Sequence, residues 1–180
     1  FKIDPGQWLY VVGGNGVGKT SLLRVISGES TPDSGNITFS DKNFTSYYLE
    51  QNTNNNLVES MTIFENLRMQ RSPENSLFPN FKLFNSRRIR ETIITLLAKF
   101  DLGLEKRLDM QVRMLSGGEK QIIAVTKVML KNPSLLLMDE FTSSLDINLA
   151  PTIIRILRQY TNANNTMVIA VTHDYSLIEE

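Results

Sequence analysis

Gly13-Gly14-Asn15-Gly16-Val17-Gly18-Lys19-Thr20-Ser21 is the stretch whose reading decides the fold. It fits G-x-x-x-x-G-K-[ST], a loop whose backbone N–H groups close around phosphate oxygens. The apolar run Trp8-Leu9-Tyr10-Val11-Val12 precedes it, and the helix-like run Ser21-Leu22-Leu23-Arg24-Val25-Ile26 follows. Strand, glycine loop and helix start in that order make a phosphate cradle, because the helix points its positive end at the bound anion. In this pattern Lys19 reaches the outer phosphates of a nucleoside triphosphate such as ATP, and the Thr20 hydroxyl ligates Mg²⁺.

The chain around this loop is of ordinary composition. Its 180 residues suit one domain with a sizeable core, and its formal net charge is zero. Charge totals of this kind give no sign of a nucleic-acid partner. The absence of cysteine excludes disulfides and thiolate metal sites. No apolar run approaches the roughly 20 residues that span a bilayer, and no signal-peptide pattern opens the sequence. The first residue is Phe1 and a strand follows almost at once, which reads as a segment of a longer protein, cut at both ends.

Outward from the loop, Gly28 reads as a helix C-cap and Ser30–Gly35 as a turn. Asn36–Phe39 and Thr45–Leu49 alternate like short strands, giving a small β-rich N-terminal part. Gln51–Asn56 is a polar loop. Met61–Arg71 reads as a helix, Ser72–Asn85 as irregular, and Ser86 as the cap of a helix over Arg87–Phe100. Arg87, Arg88 and Arg90 read as a solvated helix start, with contact to a membrane partner as the alternative. Residues 57–114 thus form a helical insert. Gly118–Lys131 and Leu149–Tyr160 are further helices, and Leu135–Met138 and Thr166–Thr172 are continuous apolar strands of the kind covered on both faces. Strands alternating with helices define an α/β domain with a mostly parallel sheet flanked by helices.

Chemistry-bearing residues recur where such strands end. Leu136–Glu140 closes a buried strand in two carboxylates, at the sheet edge where α/β folds bind ligands. Successive side chains diverge, so the two acids divide the work. Asp139 is the Mg²⁺ partner, and Glu140 the group that polarises an attacking water. His173 follows the next strand on the same edge and is placed to hydrogen-bond the γ-phosphate or that water. Leu115-Ser116-Gly117-Gly118-Glu119 opens a helix with a hydroxyl and two glycines, a second anion-binding helix start in one chain.

Together, Gly13–Thr20, Gln51, Leu115–Glu119, Leu135–Glu140, Ser144-Leu145-Asp146 and His173 resemble the ATP-binding cassette (ABC) transporter ATPase domain, over nearly the whole chain and in the family's order. The resemblance implies two cassettes dimerised head to tail, each ATP lying between one phosphate loop and the other copy's Ser116, Gly117 and Gly118. It implies that Gln51 reaches Mg²⁺ or water, that Ser144–Asp146 crosses to the opposite site, and that the insert at about 57–114 docks onto a transmembrane partner. It also implies a peripheral position on the cytoplasmic face of the cell membrane. The alternative within the family is a soluble ABC protein acting on ribosomes or DNA; the short insert without heptads favours the transporter. Three features depart from the family pattern. Ile122 stands where a basic residue often follows Gln121, and Phe141 where Pro often follows the catalytic acid. The aromatic that stacks on adenine lies upstream of Phe1.

Overall fold

A computed structural model describes residues 1–39, 41, 43–50, 56–69, 86–141 and 149–173. Its strands are β1 (Trp8–Val11), β2 (Ser46–Leu49), β3 (Leu135–Asp139) and β4 (Met167–Val171). Its α-helices are α1 (Lys19–Ser27), α2 (Ile63–Arg68), α3 (Ser86–Ala98), α4 (Gly117–Lys131) and α5 (Leu149–Asn164). The four strands form one parallel sheet in the order β1-β4-β3-β2.

Alternation along the central strands explains how the sheet is covered. Leu135 and Leu137 of β3 pack with Ile169 and Val171 of β4 against Leu23 and Ile26 of α1. Their neighbours Leu136, Met138, Val168 and Ala170 face the other way, into a core shared with α4 and α5. Helices on both faces are what force these strands to be apolar at every position. That second core runs on without a break into the helical insert through Ile63, Leu67, Ile93, Leu97, Leu104 and Val112.

Helix boundaries follow local chemistry. Thr62 caps α2 and Ser116 caps α4, each in a reciprocal box with the acid three residues on, Glu65 and Glu119. Gly28 and Asn132 close α1 and α4 in the left-handed region. Pro151 falls in the first turn of α5, where a missing N–H costs nothing. α5 runs a turn beyond the expected end at Tyr160 because Thr161 is fully buried and accepts a 2.9 Å bond from the Trp8 indole. α3 begins at Ser86 itself, not after it, and ends before Phe100.

Residues 36–39 depart from expectation: they form no strand. No other strand among the described residues lies beside them, and an extended segment without a ladder partner is not held as one. Phe39 stacks on Phe44 instead, with ring centroids 4.1 Å apart. Both strands of the N-terminal half belong to the single parallel sheet, so no separate β-rich part stands among the described residues. The expected irregular stretch 72–85 and most of the 51–56 loop lie outside those residues. Nor is the arginine cluster simply solvated: Arg90 pairs with Asp109 at 3.1 Å and lies over the Phe64 ring, tying α3 to α2.

Asn66 is the polar pin of the insert. It is 1% exposed; its amide donates to the carbonyls of Val58 (2.9 Å) and Thr62 (3.1 Å) and accepts from Val58 N–H at 2.7 Å. Asn66→Ala would strand these buried backbone groups and should lower unfolding free energy by about 2 kcal/mol in urea titrations.

Candidate functional site

The ladder fixes the height at which three strands end. Val11 pairs with Val171, and Val171 pairs with Asp139, so β1, β4 and β3 stop side by side. Two bonds extend this alignment past the strands: Glu140 N–H donates to the Val171 carbonyl at 3.0 Å, and Thr172 N–H to that of Val11 at 3.4 Å. What leaves the three strand ends is therefore delivered to one place: the glycine loop, Glu140 and His173. α1 returns over one face and α5 over the other, which opens a crevice at this edge.

The loop is built by conformations that only glycine adopts easily. Gly16 and Gly18 have φ of 80° and 98°. A Cβ placed at Gly14, Gly16 or Gly18 would meet nothing within 4 Å, so the loop borders open space. Asn15, Val17, Thr20 and Ser21 are exposed around it, and Gly13 lies half-buried at its base. Lys19, only 8% exposed, folds under the loop, and its Nζ donates to the carbonyls of Gly13 and Gly14, both at 2.9 Å.

Two predicted groups meet this lysine. Glu140 Oε1 lies 3.9 Å from Lys19 Nζ, and His173 Nε2 lies 3.4 Å from it. Glu140 and His173 touch each other at 2.5 Å. A carboxylate, an imidazole and an ammonium thus converge beside an open backbone cradle, the set needed to hold anionic oxygens and orient a water. Glu140 reaches this position with φ of 45°, unusual for a residue with a long side chain.

Asp139 is 7% exposed and turns toward the α1 face, where its Oδ2 accepts a 2.9 Å bond from the Tyr48 hydroxyl. The sequence alone gives Tyr48 no role beyond its strand. It stands opposite Leu137, two residues from Asp139 on the same face, a placement visible only once β2 is known to neighbour β3. Burial, then the bond to Asp139, pushes the tyrosine hydroxyl far above its ordinary pKa, so it donates at every ordinary pH. Asp139 and the exposed Thr20 carry oxygens of the kind Mg²⁺ prefers. No cluster of three or more acidic, His or Cys ligands exists among the described residues. Gln51 and Ser144–Asp146 lie outside the described residues.

Ser116, Gly117 and Gly118 make no hydrogen bond to Glu140 or His173 among the described residues. Ser116 and Gly117 are exposed at the start of α4, and none of the three hydrogen-bonds the phosphate loop. Gly118 packs so tightly on α5 that a Cβ would come within 2.7 Å of Leu149 Cδ2. The family departures have structural counterparts. Ile122 is fully buried in the core, and Phe141 is 2% exposed while its carbonyl accepts from Gln121 Nε2 at 3.1 Å.

A parallel α/β sheet carrying this loop at its carboxyl edge defines a phosphate-loop nucleotide-binding domain. A family model described as ABC transporter matches residues 1–143. The chain belongs to the ABC transporter family, as its ATP-binding cassette. Among curated relatives it is 29% identical over 186 residues to the energy-coupling factor transporter ATP-binding protein EcfA1 of Staphylococcus aureus, covering 98% of this chain and 65% of that protein. It is 32% identical over 174 residues to the spermidine/putrescine import ATP-binding protein PotA of Fusobacterium nucleatum, covering 96% and 45%. The chain thus spans about half to two thirds of the length of these two relatives. Two solved structures share the fold. One is cbiO1 of Clostridium perfringens, part of the cbiONQ transporter complex (TM-score 0.76, 24% identity, 99% of this chain and 71% of that one). The other is the dimeric cassette MJ0796 bound to ADP and Pi (TM-score 0.78, 21% identity, 98% and 79%).

Two outcomes are expected from this geometry. Gly18→Ala must force a Cβ into the left-handed region and should cost about 1–2 kcal/mol, read from thermal unfolding followed by circular dichroism. The second concerns Glu119. Burial raises its pKa, but the Ser116 backbone N–H and the Arg107 guanidinium outweigh burial and hold it below 4.5. Its stabilising contribution is therefore present above 4.5 and lost as pH falls through the lowered value. Wild type should exceed Glu119→Gln in melting temperature at neutral pH, and the gap should close well below 4.5.

Proposed function

We propose that this chain is the engine of a transporter: it binds ATP with Mg²⁺ and hydrolyses it between two cassettes to drive a transmembrane partner. The observation that carries the reading is the convergence of Lys19, Glu140 and His173 beside the Gly13–Ser21 loop, with Ser116–Gly118 set apart on another helix. The loop amides and Lys19 hold the phosphates. Asp139, with Thr20 and Gln51, would hold Mg²⁺, which when bound would neutralise charge on the phosphates. Glu140 orients the attacking water and accepts its proton, while His173 bonds the γ-phosphate. Ser116 and the amides of Gly117 and Gly118 would serve the ATP of a second copy, and they make no hydrogen bond to their own loop.

The domain assignment follows: one cassette over 1–180, with residues 57–114 as the helical subdomain that meets the membrane partner at the cytoplasmic face. No helix among the described residues is long and apolar enough to cross a membrane, which fits an engine that borrows its pore. Relatives of similar identity carry names for different roles, energy coupling in one and spermidine/putrescine import in another. That supports a division of labour in which membrane components choose the cargo.

Glu140→Gln tests the assignment. In the full-length protein it should lower ATP turnover by about 100-fold or more while trapping an ATP-bound dimer visible by light scattering. Turnover near the wild-type rate would remove Glu140 from its role.

A further inference from the structure

The start of α4 carries an electrostatic contradiction. A carboxylate in the first turn suits the helix itself, because it faces the positive end of the dipole. The same end can serve an anionic phosphate only if that negative charge is cancelled. Glu119 is such a carboxylate, one residue from the Ser116–Gly118 trio, and it is held in place on both oxygens. Its Oε2 accepts from Ser116 N–H at 2.9 Å, and its Oε1 accepts from an Arg107 Nη at 2.5 Å.

Arg107 is itself firmly set. It follows the single helical turn Leu104–Lys106, whose first residue Leu104 and the next residue after Arg107, Leu108, are buried at 0% and 3% exposure. Its Nη also donates to the Leu102 carbonyl at 3.2 Å, and its own N–H to Leu104. The nearby cation Lys120 is engaged elsewhere, on Glu59 at 2.5 Å. Arg107 therefore carries the charge that answers Glu119. The pair is partly buried, with side chains 34% and 19% exposed, so solvent screens it less than a surface pair.

We propose that Arg107 is a positioning residue of the Ser116–Gly118 anion site: it pins the Glu119 carboxylate onto the capping box and cancels its charge, so that the helix start can accept a triphosphate from a second copy of the chain. This rests on the functional reading above, in which that helix start closes over the partner's ATP.

Charge cancellation and simple scaffolding are separable. Arg107→Gln keeps an amide donor for Glu119 but removes the positive charge. Glu119→Gln keeps the capping box, which Gln forms as well as Glu, and removes the negative one. In full-length protein carrying Glu140→Gln, ATP-driven dimerisation is followed by light scattering across protein concentrations, and ATP binding to the monomer is measured in parallel. Arg107→Gln should weaken dimerisation about tenfold, leaving monomer binding in place, and adding Glu119→Gln should restore it. Unweakened dimerisation in Arg107→Gln overturns the proposal. A double variant as weak as Arg107→Gln also overturns it, since only scaffolding would then have been lost. If the Glu140→Gln parent forms no ATP-dependent dimer, the functional reading fails, and this one fails with it.

Discussion

Parallel pairing of β1, β4 and β3 in one register is the constraint on which the rest depends. Val11, Val171 and Asp139 stand abreast, so three segments distant in sequence leave the sheet at a common edge. A one-residue slip of β3 along β4 would turn Leu135 and Leu137 away from α1 while Ile169 and Val171 still faced it. The hydrophobic alternation that holds the two helix layers therefore also sets the position of Glu140 and His173 relative to Lys19. Packing and chemistry share one register here, and neither can be altered alone.

The helical insert serves that frame from a distance. Its buried residues join the core beneath α4, so the start of α4 is held by the insert on one side and by Leu149 of α5 on the other. Gln121 extends the arrangement by binding the Phe141 carbonyl, next to Glu140. One helix thus presents an exposed capped start to solvent and, a turn later, braces the segment that follows β3.

Much of this was legible in the sequence because its signals are local. The glycine loop, the Ser116-Gly117-Gly118 helix start, the Asp139-Glu140 pair and the apolar runs of β3 and β4 each lie within a few residues. What escaped depends on neighbours that the chain does not place side by side. Tyr48 bonds Asp139 only because β2 lies against β3, although 91 residues separate the two side chains. The pairing of Arg107 with Glu119 likewise needs the turn at Leu104–Lys106. Residues 36–39 alternate as a strand should, yet alternation describes a face to bury and gives no ladder partner.

Glu140 sits where the backbone has φ of 45°, a region in which a β-carbon is poorly tolerated and Gly or Asn is more comfortable. Either substitution would ease the chain and at the same time delete the carboxylate beside His173. Under the role proposed for Glu140, stability and turnover pull in opposite directions at this one position. On that role, a screen for thermostable variants would drift toward a well-folded cassette that grips nucleotide and no longer cleaves it.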